Sequence, residues 1–392
     1  MKKYLLLALL MFSIGSSGQS YIADYTVAKE EVLRSIPEAY IDKARNEFKI
    51  AYQHTSHGTH VSYGLYGLPD YKPGDESLFA ISRNSIVDNK LALFDNALSS
   101  YANPGEDASD LSRNERAFID ATRHFLDDVA NDEVNVIMWS WCDIAGHQVE
   151  ANYLDGMQIL IDEYGKGGSK IGSGIGQRPL PVHFIFMTGH ANLNNNTGVG
   201  KPKNQADLIT NYCRSNGYYC LDYYSIDSHC MSDNYYSDCS DDGASNIYGG
   251  NFYKDYQNSQ SLGHGYYENK KVPAGSAVYG EHNSQHITSN RKAYAMWWIL
   301  AKLAGWNETA TSSNTVFDKG DIHFNQTQKK LTFTDSEAVR NASLRIYNLA
   351  GSLVMEKVIS TPSFSLRHLK NGLYIVSIAG RHSSLTKKIV IQ

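Results

Sequence analysis

Several signals that would place this chain at once are missing. Past its first residues no segment approaches the roughly 20 consecutive apolar residues that a membrane-spanning helix needs, so nothing in the body of the chain reads as a span. No basic patch is interleaved with aromatics, and the formal charge at pH 7 is −5, becoming more negative still if Lys2 and Lys3 leave with an N-terminal leader. Nucleic acid is therefore not an expected partner. No internal repeat is visible. No CxxC pair, no HExxH pair and no EF-hand spacing occurs, which removes the sequence signatures of structural zinc, zinc-protease and calcium sites. Cysteine is scarce: of five, four (Cys213, Cys220, Cys230 and Cys239) fall in one loop-rich stretch, and Cys142 is left over. That clustering suits disulfides formed in an oxidising compartment. Local pairs 213/220 and 230/239 are the expected choice, although four cysteines allow three pairings.

What is present begins with export. Residues 1–18 carry a basic start at Lys2-Lys3, an apolar stretch from Tyr4 to Ile14 and small residues Gly15-Ser16-Ser17-Gly18, the layout of a secretory signal. The chain beyond it is long enough for one large domain and a smaller one. From Thr26 to Asn46 apolar residues recur at helical spacing; Phe48 to Tyr52 reads as a buried strand. Helix Glu115 to Val129, strand Val134 to Trp139, helix Ala151 to Tyr164, strand Val182 to Met187, helix Asn204 to Ser215 and a short strand from Tyr218 to Leu221 continue the alternation. Strands alternating with helices imply a parallel sheet covered on both faces, with ligands at the carboxyl ends of its strands.

Every polar cluster of interest follows one of those strands: Ser56 and His57 after the first, Trp141-Cys142-Asp143 after the next, and Thr188-Gly189-His190-Ala191-Asn192 after the third. All three loops are expected on one edge. From Asp222 to Gly280 periodicity disappears and Tyr, Asp, Asn, Ser and Gly dominate. Paired tyrosines in that stretch argue for an ordered excursion rather than disorder. Their rings would suit the faces of sugars, or simply pack a disulfide-tied loop. The apolar segment from Ala293 to Gly305 reads as a helix, and a polar linker at 307–315 precedes β-patterned segments at residues 331–334, 342–347, 352–355, 373–378 and 387–391. Alternation with turns such as Lys370-Asn371-Gly372 implies a small β-sandwich at 316–392.

That C-terminal segment resembles the type A sorting domain of the type IX secretion system of Bacteroidota, through Leu344-Arg-Ile-Tyr-Asn-Leu-Ala-Gly351, Leu369-Lys-Asn-Gly-Leu-Tyr-Ile-Val376 and the terminal Lys387-Lys-Ile-Val-Ile-Gln392. The resemblance implies export, with release or attachment at the cell surface and the secretion machinery as a partner. Within a first domain at 19–306, the region from about residue 47 to 306 looks like a divergent member of the SGNH/GDSL hydrolase superfamily, whose fold is a flavodoxin-like three-layer α/β/α sandwich. In that family the nucleophilic serine follows the first strand. Ser56 occupies that position, with His54-Thr-Ser-His-Gly58 replacing the usual Gly-Asp-Ser. Ser140-Trp-Cys-Asp143 stands at the second block without its glycine, Gly189-His190-Ala191-Asn192 matches the Gly-x-Asn spacing of the third, and Asn283-Ser-Gln-His286 stands where Asp-x-x-His is usual.

An acyl transfer needs a nucleophile, a base and donors aimed at the oxyanion. The resemblance assigns these to Ser56, His286, and Asn192 with the Ser56 backbone N–H, with Asn283 at the position of the acid and His57, Trp141, His190 and His282 around the substrate. Asn283 is the difficulty, since replacing the triad aspartate by asparagine costs about 10⁴ in a serine protease; Glu281 or Asp143 could substitute, or the pair acts alone. The reading is a secreted serine esterase, deacylating a carbohydrate or related small ester without cofactor or metal. The alternatives are Ser56 as an ordinary loop serine in a glycan-binding surface protein, and a metal-dependent hydrolase using the clustered His54, His57, His60, His190 and His282.

Overall fold

The computed structural model describes residues 21–280, 282, 284–307, 322–333, 343–348, 351–359, 363–379 and 384–391. The leader at 1–18, Glu281, Asn283 and nearly all of the linker at 307–315 lie outside them. Two units follow from the contacts within the chain, residues 1–307 and 308–392.

In the first unit seven parallel strands form one sheet: β1 (Ile22–Ala23), β2 (Lys49–Gln53), β3 (Ile81–Arg83), β4 (Leu91–Asp95), β5 (Val136–Trp139), β6 (His183–Met187) and β7 (Cys220–Leu221), in the order β1-β7-β6-β5-β2-β4-β3. Counting from β2, the run β4-β2-β5-β6-β7 is the flavodoxin-like order 2-1-3-4-5, and the order reverses between β2 and β5. Ile50 sits opposite both Leu93 and Val136 at the centre of the sheet. Central strands made almost wholly of buried residues are what a sheet covered on both faces requires.

Among the described residues ten α-helices accompany the sheet: α1 (Glu30–Ser35), α2 (Glu38–Glu47), α3 (Thr59–Gly67), α4 (Asp75–Leu78), α5 (Ala117–Asp127), α6 (Asp155–Tyr164), α7 (Pro202–Asn216), α8 (Tyr223–Ser228), α9 (Phe252–Ser259) and α10 (His286–Leu303). One apolar layer takes Leu33, Ile41, Val61, Leu65, Trp297 and Trp298 from α1, α2, α3 and α10. The other takes Phe118, Phe125, Met157, Leu160 and Ile209 from α5, α6 and α7, with Trp139 and Trp141. These two layers and the sheet make the expected α/β/α sandwich.

The single helix expected over 26–46 is two. Pro37 cannot continue a helix and forces Ile36 to an extended ψ of 122°, so α1 stops and α2 starts anew. Strands β3 and β4 and helix α3 had no counterpart in the sequence reading. β3 is only three residues long, and α3 is buried all round, so neither shows an amphipathic period. The excursion after β7 is ordered, as expected: it contains α8, α9 and two short β ribbons, packed around Tyr224, Cys230, Cys239, Phe252 and Tyr253. All five cysteines are free thiols in the structure. Cys213 and Cys220 touch within one apolar layer, whereas Cys230 contacts Ser232 and Cys239 contacts the Asp227 carbonyl.

The second unit is antiparallel throughout its described residues. Strands Ile322–Asn325, Lys330–Phe333 and Ser363–Ser365 form one sheet; Leu353–Val358, Ser343–Asn348, Gly372–Ala379 and Ser384–Ile391 form the other. Leu331 from the first sheet and Leu344, Ile346, Val376, Ile378 and Ile389 from the second share one apolar core.

Candidate functional site

Because β2, β5 and β6 run parallel, the three polar loops that follow them lie on one edge, as their positions after strands implied. The edge coincides with the reversal of strand order, where open α/β sheets hold ligands. Gly58 brings the first two loops together: a Cβ there would collide with the His54 Cβ and the Ser140 Oγ. The Tyr52 hydroxyl donates to the Gly58 carbonyl (2.9 Å) from beneath.

Ser56 opens the short turn Ser56–Gly58 leading into α3, with φ at +33°, a region that non-glycine residues rarely occupy. Such backbone strain persists only where surrounding structure enforces it, and it concentrates at functional positions. Ser56 borders a cavity of about 320 Å³ together with His54, Arg83, Asp95, Asn96 and Lys271.

Behind Ser56 stands a buried clamp. His54 Nε2 lies 2.6 Å from Asp95 Oδ1, and Arg83 Nε donates to Asp95 Oδ2 at 3.2 Å. Burial alone would raise the Asp95 carboxyl, but the hydrogen bonds and charges of His54 and Arg83 outweigh it and hold it below the usual range.

Beside Ser56 lies a stack of imidazoles. The His57 ring packs face to face on His190 (centroids 3.5 Å apart) and on His282 (4.7 Å), with Asp241 Oδ2 3.4 Å from His57 Nε2. Burial, then the neighbouring charges of His282 and Lys292, push His57 down to about 4, so it is neutral at pH 7. Burial lifts Asp241 to about 6. His190 donates from Nδ1 to the Ala191 carbonyl (2.9 Å), which leaves its Nε2 as an acceptor. His282 is exposed and has φ at +59°. The segment before it crosses α3 closely, since a Cβ on Gly280 would overlap the His60 ring. Rings meeting by their faces do not converge their nitrogens on a point. Among the described residues no group of three or more His, Cys, Asp or Glu is arranged to hold a metal ion.

The other expected site residues are dispersed differently. Asn192 is half-buried on the same edge, but its amide donates to Asp143 Oδ1 at 3.1 Å and its N–H to Asn196 Oδ1. Trp141 packs as a core residue against Tyr153, because the chain after β5 turns its indole into the apolar layer, and does not face the edge as a substrate contact would. His286 opens α10, its Nδ1 accepting from the Asn269 N–H (3.1 Å) and its ring stacked on Tyr279 (4.2 Å). It borders neither the Ser56 cavity nor the imidazole stack, whereas His282 joins that stack. Asn283 is not among the described residues.

Beneath the edge lies a network that no sequence signal announced. Lys292 Nζ is 2.7 Å from Asp227 Oδ1, both side chains wholly buried. Asp227 Oδ2 accepts from the Ala191 N–H (3.2 Å), and the ammonium sits 4.0 Å from the centroid of the Tyr223 ring. The Tyr223 hydroxyl donates to the His57 carbonyl (2.8 Å) and meets His60 Nδ1 at 2.7 Å. Burial pushes Asp227 up to about 6 and Lys292 down, while their contact opposes both shifts. The pair thereby ties the β2 and β6 loops to α8 and α10.

The strand pattern and shared core of the second unit agree with what its sequence resembles. Residues 324–392 match the family described as Secretion system C-terminal sorting domain. With this sorting domain the protein is secreted or attached at the cell surface, and the type IX machinery is its partner in export. Among the described residues no helix is long and apolar enough to cross a membrane. No curated protein matches the chain. The parallel α/β unit therefore has no family assignment beside that of the sorting domain.

Proposed function

We propose that the α/β unit is a serine esterase of the SGNH type, exported to act on an acylated carbohydrate or related small ester, with Ser56 as nucleophile. The observation that carries the reading is Ser56 itself: a strained serine on a turn after β2, at the reversal of strand order, bordering a cavity. His282 is the better candidate for the base, because it stacks on the ring next to Ser56 in the chain while His286 is engaged with Asn269 and Tyr279. The Ser56 N–H and the Asn192 amide are the proposed oxyanion donors, the latter after exchanging its bond to Asp143. In the reaction the serine oxygen adds to the acyl carbon as its proton passes to the imidazole. The alcohol then leaves with that proton, and water hydrolyses the acyl-serine. The carbohydrate substrate follows from export and setting rather than from any residue.

Hydrolysis of 4-nitrophenyl acetate tests the assignment. Ser56→Ala is expected to lower kcat/KM by at least about 10³, and His282→Ala by a similar factor. His286→Ala should have a smaller effect. Diisopropyl fluorophosphate should label Ser56. Unchanged turnover in Ser56→Ala would end the reading of Ser56 as nucleophile, whereas a wild type with neither turnover nor adduct would leave a glycan-binding protein.

A further inference from the structure

The cavity beside Ser56 is rich in donors, and its carboxylate is already engaged. Both oxygens of its one carboxylate are engaged, Asp95 Oδ1 with His54 and Oδ2 with Arg83. The Asn96 Oδ1 accepts from the His54 N–H (3.3 Å) and from Gln53 Nε2 (3.4 Å), so its amide N–H groups are without an acceptor among the described residues. Arg83 gives Asp95 its Nε, and its charge offsets that carboxylate. Lys271, exposed at the rim, has no hydrogen-bond or ion-pair partner among the described residues and leaves one positive charge uncompensated. An ammonium, a guanidinium and a free amide around one small space are the groups that bind carboxylate or sulfate through charge-assisted hydrogen bonds. A neutral alkyl or acetyl group would leave them unused.

We infer that the substrate carries an anionic substituent, a carboxylate or a sulfate, next to the scissile ester, and that Lys271, Arg83 and Asn96 receive it. This rests on Ser56 being the nucleophile, since the cavity gains its meaning from bordering that serine. The site then selects acylated acidic sugars over neutral ones. Part of the selection is electrostatic, so it weakens as salt rises.

Two measurements on the full chain separate this inference from its foundation. In the first, kcat/KM is compared for 4-acetoxybenzoate, whose carboxylate lies on the alcohol side of the ester, and phenyl acetate. The wild type is expected to favour the anionic ester, and Lys271→Glu to lower the anionic-to-neutral ratio by about tenfold, with Lys271→Gln intermediate. In the second, Ser56→Ala protein is titrated with glucuronate and with glucose 6-sulfate, which distinguishes carboxylate from sulfate. Binding of either, weakened at least tenfold by adding Lys271→Glu, supports the anion site whatever the kinetics show. An unchanged ratio together with no binding, or binding indifferent to Lys271, overturns it. Full activity in Ser56→Ala would instead remove the catalytic reading, and the titration would still judge the anion site.

Discussion

His54 and His57 stand three residues apart on one stretch of chain and finish in opposite settings. His54 is clamped edge-on to a carboxylate at 2.6 Å, which is itself held by Arg83, with both side chains of the His–Asp pair almost fully buried. His57 has a carboxylate at the longer distance of 3.4 Å and is sandwiched by ring faces. The first arrangement spends the hydrogen-bonding capacity of its acid on holding β2 to β4. The second keeps an imidazole neutral beside the turn that carries Ser56. The same residue type thus serves as a fastening on one side of Ser56 and as part of a ring stack on the other. What separates them is the element that arrives from elsewhere: β4 in one case, and the loops carrying His190, Asp241 and His282 in the other.

Three experiments press on that contrast, beginning with the largest effect. Lys292→Met removes the cation under His57 and strands a buried carboxylate at Asp227. Breaking a buried pair in this way costs about 3–5 kcal/mol, so denaturant unfolding should show a loss of that order. A loss below about 1 kcal/mol would mean that the network does not hold the His57 side together.

Asp95→Asn attacks the opposite side. It exchanges a charge-assisted hydrogen bond to His54 and an ion pair to Arg83 for neutral contacts, with an expected cost of about 1–3 kcal/mol. The same unfolding measurement in Asp95→Asn returning a wild-type midpoint would show that the clamp is no fastening.

The smallest effect is a difference of slope with pH. His57 titrates near 6.5 when unfolded and near 4 when folded, so between those values the unfolded chain binds more protons and stability rises with pH. Asp241 has the opposite sign: its folded value of about 6 lies above its ordinary value, so stability falls as pH rises through that window. Each contribution amounts to roughly 1.4 kcal/mol per pH unit at most. Melting temperatures from pH 4.5 to 6.5 should therefore rise less steeply with pH in His57→Gln than in wild type, and more steeply in Asp241→Asn. Identical slopes in all three proteins would show that neither group is perturbed by the stack.

The alternation of strands and helices was readable because it is a local, periodic property, and β2, β5 and β6 stand within two residues of where periodicity puts them. The positions of the polar loops after those strands were enough to bring Ser56, Asp143 and Asn192 to one edge, since parallel strands share their carboxyl ends. Residue spacing could not choose between His282 and His286. Four residues separate them, but His286 is the first residue of α10 and turns toward Asn269, while His282 precedes the helix in a left-handed conformation. Lys292 gave no warning at all, being a lysine in the polar first half of a buried helix, with its partner 65 residues away.

By itself, then, the sequence determined the order of elements, the sheet edge on which the polar loops gather and the exported character of the chain, because each depends on short-range pattern or on a contiguous segment such as 324–392. Only the tertiary structure decided which histidine is clamped, which is stacked, and which charges are left facing the cavity at Ser56. Those outcomes depend on burial and on distances of a few ångströms between groups far apart in the chain, and electrostatic interaction in a low-dielectric interior changes steeply over that range.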